Sequence, residues 1–285
     1  MSSRFPGPKS AAKGVLFGVL LVLLALCLGR SRAVSLPVLM YHHIAKEVPS
    51  DMTVSPARFE EHIAALTQDG WHAVTISQLI DYVDGGTPLP DKPVLITFDD
   101  GYTSNLELAA PVLEQYGQRA VIFSIGINAG QAYYVHTGAP LLPPRFALEE
   151  ALPWVESGVV EIQSHTFDLH QLESYGVSGR NGVLPLPGER EEVYREALTL
   201  DAQKQRELFS RTLGREVTAL AYPFGFSSET AEEVFSGFGV RVTFTTDPGP
   251  NRVCRGQPDT LRKLNRYTMT ERVTGERLLE LLNQA

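Results

Sequence analysis

Two acids, Asp99 and Asp100, close the apolar run Pro93-Val94-Leu95-Ile96-Thr97-Phe98 and are followed by Gly101. A strand filled with Val, Leu and Ile has no structural need of two carboxylates at its tip, and strand ends facing a crevice are where α/β proteins place their chemistry. Asp-Asp-Gly taken alone would also serve as a turn. A second apolar run, Val159-Val160-Glu161-Ile162, leads into Ser164-His165-Thr166-Phe167-Asp168-Leu169-His170 and so brings two imidazoles to another strand end. Residues with the spacing of His165 and His170 lie about 140° apart around an ideal helix, so these two do not share a helical face and belong in an irregular turn. One carboxylate with two imidazoles, beside a second carboxylate, suggests a metal site with an attached base. This mixed oxygen and nitrogen set suits Zn2+ and leaves a position open for water or substrate; Ni2+, Co2+ and Fe2+ accept the same ligand types. Successive side chains of a strand point to opposite faces, so both acids serve one site only if the chain has already turned, which Gly101 permits. Their adjacency argues against a glycosidase pair, whose carboxylates flank a bond at about 5 to 9 Å.

The elements that must position these groups alternate along the chain. Residues 36–41 read as a strand ending at His42-His43. Ser55-Pro56 starts a helix, with a capping serine and a proline in the first turn, an apolar stripe of Phe59, Ile63 and Leu66, and Gly70 as its stop. A strand over 94–98 precedes a helix over 105–116, a strand over 120–124, a helix over 147–156 and a strand over 159–162. A long polar helix over 190–213 leads to a strand over 218–222, a helix over 229–235, strands over 240–245 and 261–264, and a last helix over 276–282. Such alternation implies a largely parallel sheet with crossover connections, open or closed into a barrel. Segment 173–189, rich in Gly, Pro and Ser, follows the two histidines directly; long loops of this kind are uncommon unless they bind something or lack order, and this one reads as a wall of a substrate groove.

The chain has 285 residues with no repeat and no long low-complexity linker, so a single domain over 34–285 is expected. Its net charge is −8 even though the first 33 residues carry Arg4, Lys9, Lys13, Arg30 and Arg32 and no acid. The remainder is therefore strongly acidic, which argues against a nucleic-acid partner, since phosphate binding needs a basic face. Residues 15–29 are uncharged and apolar, with Lys9 and Lys13 before them and Arg30 and Arg32 after them. This run is shorter than the roughly 20 residues of a full span and suits a signal-peptide core, with Ser31 and Ala33 as small residues at cleavage spacing. An uncleaved N-terminal membrane anchor over 1–33 is the alternative, and in either case the body is exported and extracytoplasmic. Cys27 lies in that segment, so Cys254 stands alone in the body and a large core must hold the fold without a disulfide.

Thr97-Phe98-Asp99-Asp100-Gly101, Ser164-His165-Thr166 with His170, and Ala221-Tyr222-Pro223-Phe224-Gly225 resemble, in that order, the first three motifs of the polysaccharide deacetylase family, the NodB-homology group of carbohydrate esterases. The opening Pro37-Val38-Leu39-Met40-Tyr41-His42-His43-Ile44 is similar to the branch that de-N-acetylates poly-β-1,6-N-acetylglucosamine of biofilm matrix. The resemblance implies a distorted (β/α) barrel of about seven strands and metal-dependent hydrolysis of the acetamido group of an N-acetylated polysaccharide. Carried over position by position, it implies Asp99 as general base, Asp100, His165 and His170 as ligands of a divalent metal, most simply Zn2+, and the backbone N–H of Phe224 as an oxyanion donor. Pro223 would fix that loop, and Tyr222 would line a groove for substrate. Peptidoglycan or chitooligosaccharides are alternative substrates, and a non-catalytic carbohydrate-binding protein is the reading of another class.

Three positions depart from the common family pattern. The two histidines are one residue further apart than usual, a spacing the biofilm-polymer branch shares. Ala221 stands where many members have an arginine that orients the base, so another residue must hold Asp99 or it is held less firmly. Leu261-Arg262-Lys263-Leu264-Asn265-Arg266 lacks the histidine that serves most members as general acid. The resemblance offers His42 in its place, with His43 second. Of the other histidines, His62 and His72 read as packing or surface residues and His136 as loop surface; Trp154 reads as core.

Overall fold

The structure is a computed structural model that describes residues 33–283, so residues 1–32 of the expected leader lie outside it. The first part of the chain forms β1 (Ala33–Ser35), β2 (Val38–Tyr41), β3 (His43–Ile44), β4 (Thr53–Val54), α1 (Pro56–Gln68), β5 (His72–Ala73) and α2 (Ile76–Val83). The middle supplies β6 (Pro93–Phe98), α3 (Ala110–Gln115), β7 (Ala120–Ser124), α4 (Leu152–Glu156), β8 (Val160–Ser164) and the long α5 (Glu191–Leu213). It ends with β9 (Ala219–Ala221), α6 (Glu229–Gly237), β10 (Val242–Phe244), β11 (Arg252–Cys254), β12 (Tyr267–Thr268) and α7 (Gly275–Asn283). Helix starts follow the local chemistry: the Ser55 hydroxyl accepts from the Arg58 N–H at 3.2 Å, and Thr75 and Gln78 cap each other reciprocally at the head of α2.

The main sheet is parallel, in the order β10-β9-β8-β7-β6-β2-β12, with β5 pairing the start of β6. It curls until its ends approach. Leu264 bridges in parallel to Phe244 of β10, and three residues later Tyr267 pairs with Leu39 of β2, so one short segment spans the gap between the first and last strands. This is the distorted (β/α) barrel. Residues 261–264 are not a strand as expected: 258–261 form a 3₁₀ turn, Leu264 makes only the isolated bridge, and the strand lies later, at β12. Lys263 at φ 52 breaks the extended backbone there.

Strand alternation sorts the core into two. Leu95, Val121, Phe123, Ala219, Ala221, Val242 and Phe244 share one cluster with Ile76, Leu79, Tyr82 and Val83 of α2, a helix the sequence reading passed over. The neighbouring residues of the same strands, including Val94, Ile96, Phe98, Ile122, Ile162 and Leu220, join the second cluster with the apolar faces of α1, α5 and α6. Thr97 and Asp99 continue the parity of Leu95, so the first acid points into the barrel on the inner face.

The expected helix over 105–116 opens as a π turn, Asn105–Ala109, before α3, and that over 147–156 opens as a 3₁₀ turn before α4. Segment 173–189 is folded rather than open. The Arg180 guanidinium bonds both oxygens of Glu189, at 2.8 and 2.6 Å, and the Leu184 carbonyl, while the Leu186 N–H also reaches Glu189. The Gly182 N–H bonds the Gln171 carbonyl at 2.8 Å, and a Cβ there would sit 3.1 Å from the Pro223 carbonyl, so the segment lies against both the histidine loop and the 222–226 turn.

Candidate active site

At the carboxyl end of β6 the Asp99 N–H still bonds the Tyr41 carbonyl of β2 at 2.9 Å, but Asp100 and Gly101 have left-handed backbone, φ 73 and φ 71. The strand has turned. This reversal brings consecutive carboxylates to one place, which an extended strand forbids. A side chain on Gly101 would also collide with Ser124, whose Oγ lies 2.9 Å from the Cβ position.

Asp99 is held by Arg266, which emerges from the segment that closes the barrel and is 0% exposed. Its Nη1 and Nη2 donate to the two carboxylate oxygens, each at 2.7 Å, and its Nε donates to the Thr245 carbonyl at 2.7 Å. The guanidinium carbon lies 5.9 Å from each of the Phe123 and Phe244 rings. Burial opposes ionisation of Asp99, but the Arg266 charge and hydrogen bonds, with His165 nearby, outweigh it and hold the carboxyl below its usual range. Arg266 thus fills the holding role that Ala221 left open. Sequence reading missed it, because the residue lies far along the chain and only barrel closure brings it to β6.

Asp100, His165 and His170 converge, with ligand atoms all within 4.8 Å of one another. The Asp100 Oδ1 lies 3.3 Å from His170 Nε2 and 3.6 Å from His165 Nε2, and it is buried without a hydrogen-bond partner. Two ligands about 2.1 Å from a tetrahedral ion stand about 3.4 Å apart, so these separations fit the edges of a coordination shell. The tautomer fits as well. His165 Nδ1 bonds the Ala221 carbonyl at 2.7 Å, which only accepts; Nδ1 therefore carries the proton and Nε2 presents its lone pair. Burial pushes His170 down to about 4, leaving it neutral and able to ligate. Burial opposes the charge on Asp100, but the cationic groups around it, the permanently charged Arg145 among them, outweigh it and hold its carboxyl below the usual range.

His42 lies within electrostatic reach of both aspartates, Arg266 and His165; burial lowers its pKa while the two carboxylates pull it back up. His43 turns elsewhere. Its Nδ1 bonds Ser104 Oγ at 2.9 Å and its ring lies 5.0 Å from Tyr102, so of the two adjacent imidazoles only His42 is coupled to the acids. Phe224 sits at φ 60 in the 222–226 turn, its ring 4.5 Å from that of His170. Tyr222 does not line a groove: its side chain is fully buried and its hydroxyl donates to Glu232, alongside Thr243. Pro223 is buried as well, so both shape the turn from beneath.

Several neighbours escaped the sequence reading. The Arg145 guanidinium stacks 3.6 Å above the Tyr102 ring and lies 3.7 Å from Asp100 Oδ2. Asp201, from α5, reaches the histidine loop. His62 is a buried packing residue, bonded to the Tyr41 hydroxyl and the Val273 carbonyl, and His136 pairs with Asp168 at 2.7 Å.

Comparison with known proteins places this geometry among relatives. The chain is 30% identical over 214 residues to YxkH of Bacillus subtilis, a protein classed by name with the polysaccharide deacetylases, covering 75% of this chain and 65% of that one. It is 25% identical over 279 residues to the poly-β-1,6-N-acetyl-D-glucosamine N-deacetylase of Escherichia coli, covering 85% of this chain and 41% of the relative. The chain therefore spans less than two thirds of the length of either curated relative. The solved structure of IcaB from Ammonifex degensii superposes with a TM-score of 0.70 at 28% identity, over 88% of this chain and 97% of the other. The polysaccharide deacetylase family model matches residues 86–265, which hold both aspartates, both histidines and the 222–226 turn. By that match this chain belongs to the polysaccharide deacetylase family.

Proposed function

We propose that the chain is an exported, metal-dependent de-N-acetylase of N-acetylglucosamine polymers, with poly-β-1,6-N-acetylglucosamine as its substrate and residues 34–285 as the catalytic unit. The observation that supports this best is the pairing of a ligand-spaced Asp100–His165–His170 cluster with an adjacent, arginine-clamped Asp99. The preference for the β-1,6 polymer rests on the Escherichia coli relative.

An acetamide carbonyl is a poor electrophile. A divalent ion held by Asp100, His165 and His170, with Zn2+ the simplest choice, would supply Lewis acidity and lower the pKa of water from 15.7 toward about 7. Asp99, kept ionised and aimed by Arg266, accepts the proton of the attacking water. The Phe224 N–H stabilises the developing oxyanion, an interaction typically worth about 3 to 4 kcal/mol. His42 protonates the amine as the C–N bond breaks; its buried imidazolium is a strong acid, and the two neighbouring carboxylates favour its formation. Acetate and a glucosamine unit leave.

The test is acetate release from β-1,6 and β-1,4 N-acetylglucosamine oligomers, measured side by side before chelation, after it, and after Zn2+ is restored. Loss on chelation and recovery with metal, with β-1,6 turned over faster, is the expected result. Turnover indifferent to chelator would defeat the metal-dependent reading, and a β-1,4 preference would move the substrate to chitin-like polymers or peptidoglycan.

A further inference from the structure

The loop that carries His165 and His170 is held from outside by a single carboxylate. Asp201 of α5 is 5% exposed and accepts two consecutive backbone N–H groups, Phe167 to Oδ2 at 2.9 Å and Asp168 to Oδ1 at 2.7 Å. One turn along the same helix, Gln205 donates its Nε2 to the Ser124 carbonyl at 3.2 Å, and the same carbonyl accepts the His165 N–H at 3.0 Å. On the other side, the Gly126 N–H bonds the Thr166 carbonyl at 3.1 Å and the Ile127 N–H bonds that of Phe167 at 2.8 Å. A Cβ on Gly126 would lie 2.7 Å from the Phe167 ring, so there is no slack in this packing.

The loop needs such support. Thr166 is left-handed at φ 67, a conformation that strains a non-glycine residue and persists only where the surroundings over-determine it. The Phe167 and Asp168 N–H groups lie past the end of β8, where no strand ladder receives them, and a backbone N–H left unpaired in a partly buried setting is costly. Asp201 answers both at once, midway between the two histidines.

We propose that Asp201 is a positioning residue that fixes the separation of His165 and His170 and thereby sets the affinity of the cluster for its cation. This rests on the metal reading above. Asp201 touches neither ion nor substrate; it acts through the backbone of the ligand loop. A purely architectural Asp201, one that only docks α5 onto the loop, would alter stability and leave the affinity of the folded protein alone.

The deciding experiment uses the metal-free full chain and Co2+, with affinity read by competition against a chromophoric chelator, geometry read from the visible absorption of bound Co2+, and Tm of the metal-free form recorded in parallel. Asp201→Ala removes both acceptors and should weaken Co2+ binding by about 100-fold; Asp201→Asn keeps one acceptor and sets an NH2 against the other N–H, and should weaken it by about 10-fold. Both should shift the visible spectrum. Should Asp201→Ala fail to fold, the near-isosteric Asp201→Asn decides alone. Wild-type affinity and spectrum in Asp201→Asn, with only its Tm lowered, would overturn the assignment. His170→Ala separates the two layers of the argument: if it binds Co2+ as tightly as the wild type, the metal reading itself fails and the Asp201 assignment falls with it.

Discussion

Two of the bidentate arginine–carboxylate pairs in this protein, each with two N–H···O bonds, differ in what surrounds them. Arg266–Asp99 lies inside the barrel between Phe123 and Phe244, and the carboxylate it grips also faces His165 Nε2 at 3.9 Å. Arg180–Glu189 lies in the 173–189 segment, where each partner's remaining bonding goes to that segment's own backbone, at Leu184 and Leu186. The first pair is joined across the whole fold and leaves its acid facing the reaction site. The second is joined across nine residues of sequence, from 180 to 189, and is spent entirely on local shape. An ion pair therefore says little about function by itself; what matters is whether the acid retains an unengaged direction and where that direction points.

Breaking the first pair should have the largest effect. Arg266→Ala leaves a buried, uncompensated carboxylate, and loss of one partner of a buried pair costs about 3 to 5 kcal/mol; chemical denaturation should show this drop, with acetate release lost alongside it. Asp99→Asn sharpens the comparison by keeping the shape and removing the base. Its acetate release should fall by about 10²- to 10⁴-fold while equilibrium dialysis shows metal binding retained; full activity in this variant would remove Asp99 from the chemistry. Breaking the second pair should matter far less to turnover. Arg180→Ala strands a Glu189 carboxylate whose side chain is only 6% exposed, so chemical denaturation should show a loss of up to about 3 kcal/mol, and segment 173–189 should open to limited proteolysis with turnover largely kept.

Acid should separate the two regions in a gentler way. His170 is pushed down to about 4 by burial, whereas in the unfolded chain it titrates near about 6.5. Between those values this imidazole is protonated in the unfolded chain and not in the native one, so its contribution to the stability of the metal-free protein rises with pH across this window and is lost as pH falls from about 6.5 to about 4, while Asp201, pushed up to about 7 by burial, contributes with the opposite sign. Urea midpoints measured across that range should rise less with pH in His170→Gln than in the wild type. An equal slope in the variant would show that another group carries the acid sensitivity.

Much of this architecture was legible in the chain. The runs ending at Tyr41, Phe98, Ser124 and Ser164 are short and apolar, and their periodicity placed β2, β6, β7 and β8 within a residue or two. The aspartates and histidines were legible because chemistry concentrates at such strand ends. The last strand was not, since Lys263 turns the backbone and the pairing moves to Tyr267, which composition does not reveal. Arg266 and Asp201 were hidden for a related reason: each acts on a partner distant in sequence, and an arginine or an aspartate on a polar stretch looks like any solvated charge until the fold closes. Tyr222 misled in the opposite direction, because an aromatic residue beside a loop motif reads as a sugar platform, whereas its hydroxyl is committed to Glu232.

The segment from Leu264 to Thr268 both bridges the rim of the sheet and carries the cation that steadies Asp99. During synthesis, every strand bearing an acid or an imidazole of the cluster would emerge before that cation is available. A nascent chain halted short of this point would hold Asp99, Asp100 and both imidazoles without the guanidinium that aims Asp99. The clamp on Asp99 therefore waits on synthesis of this segment, an order of events written into connectivity.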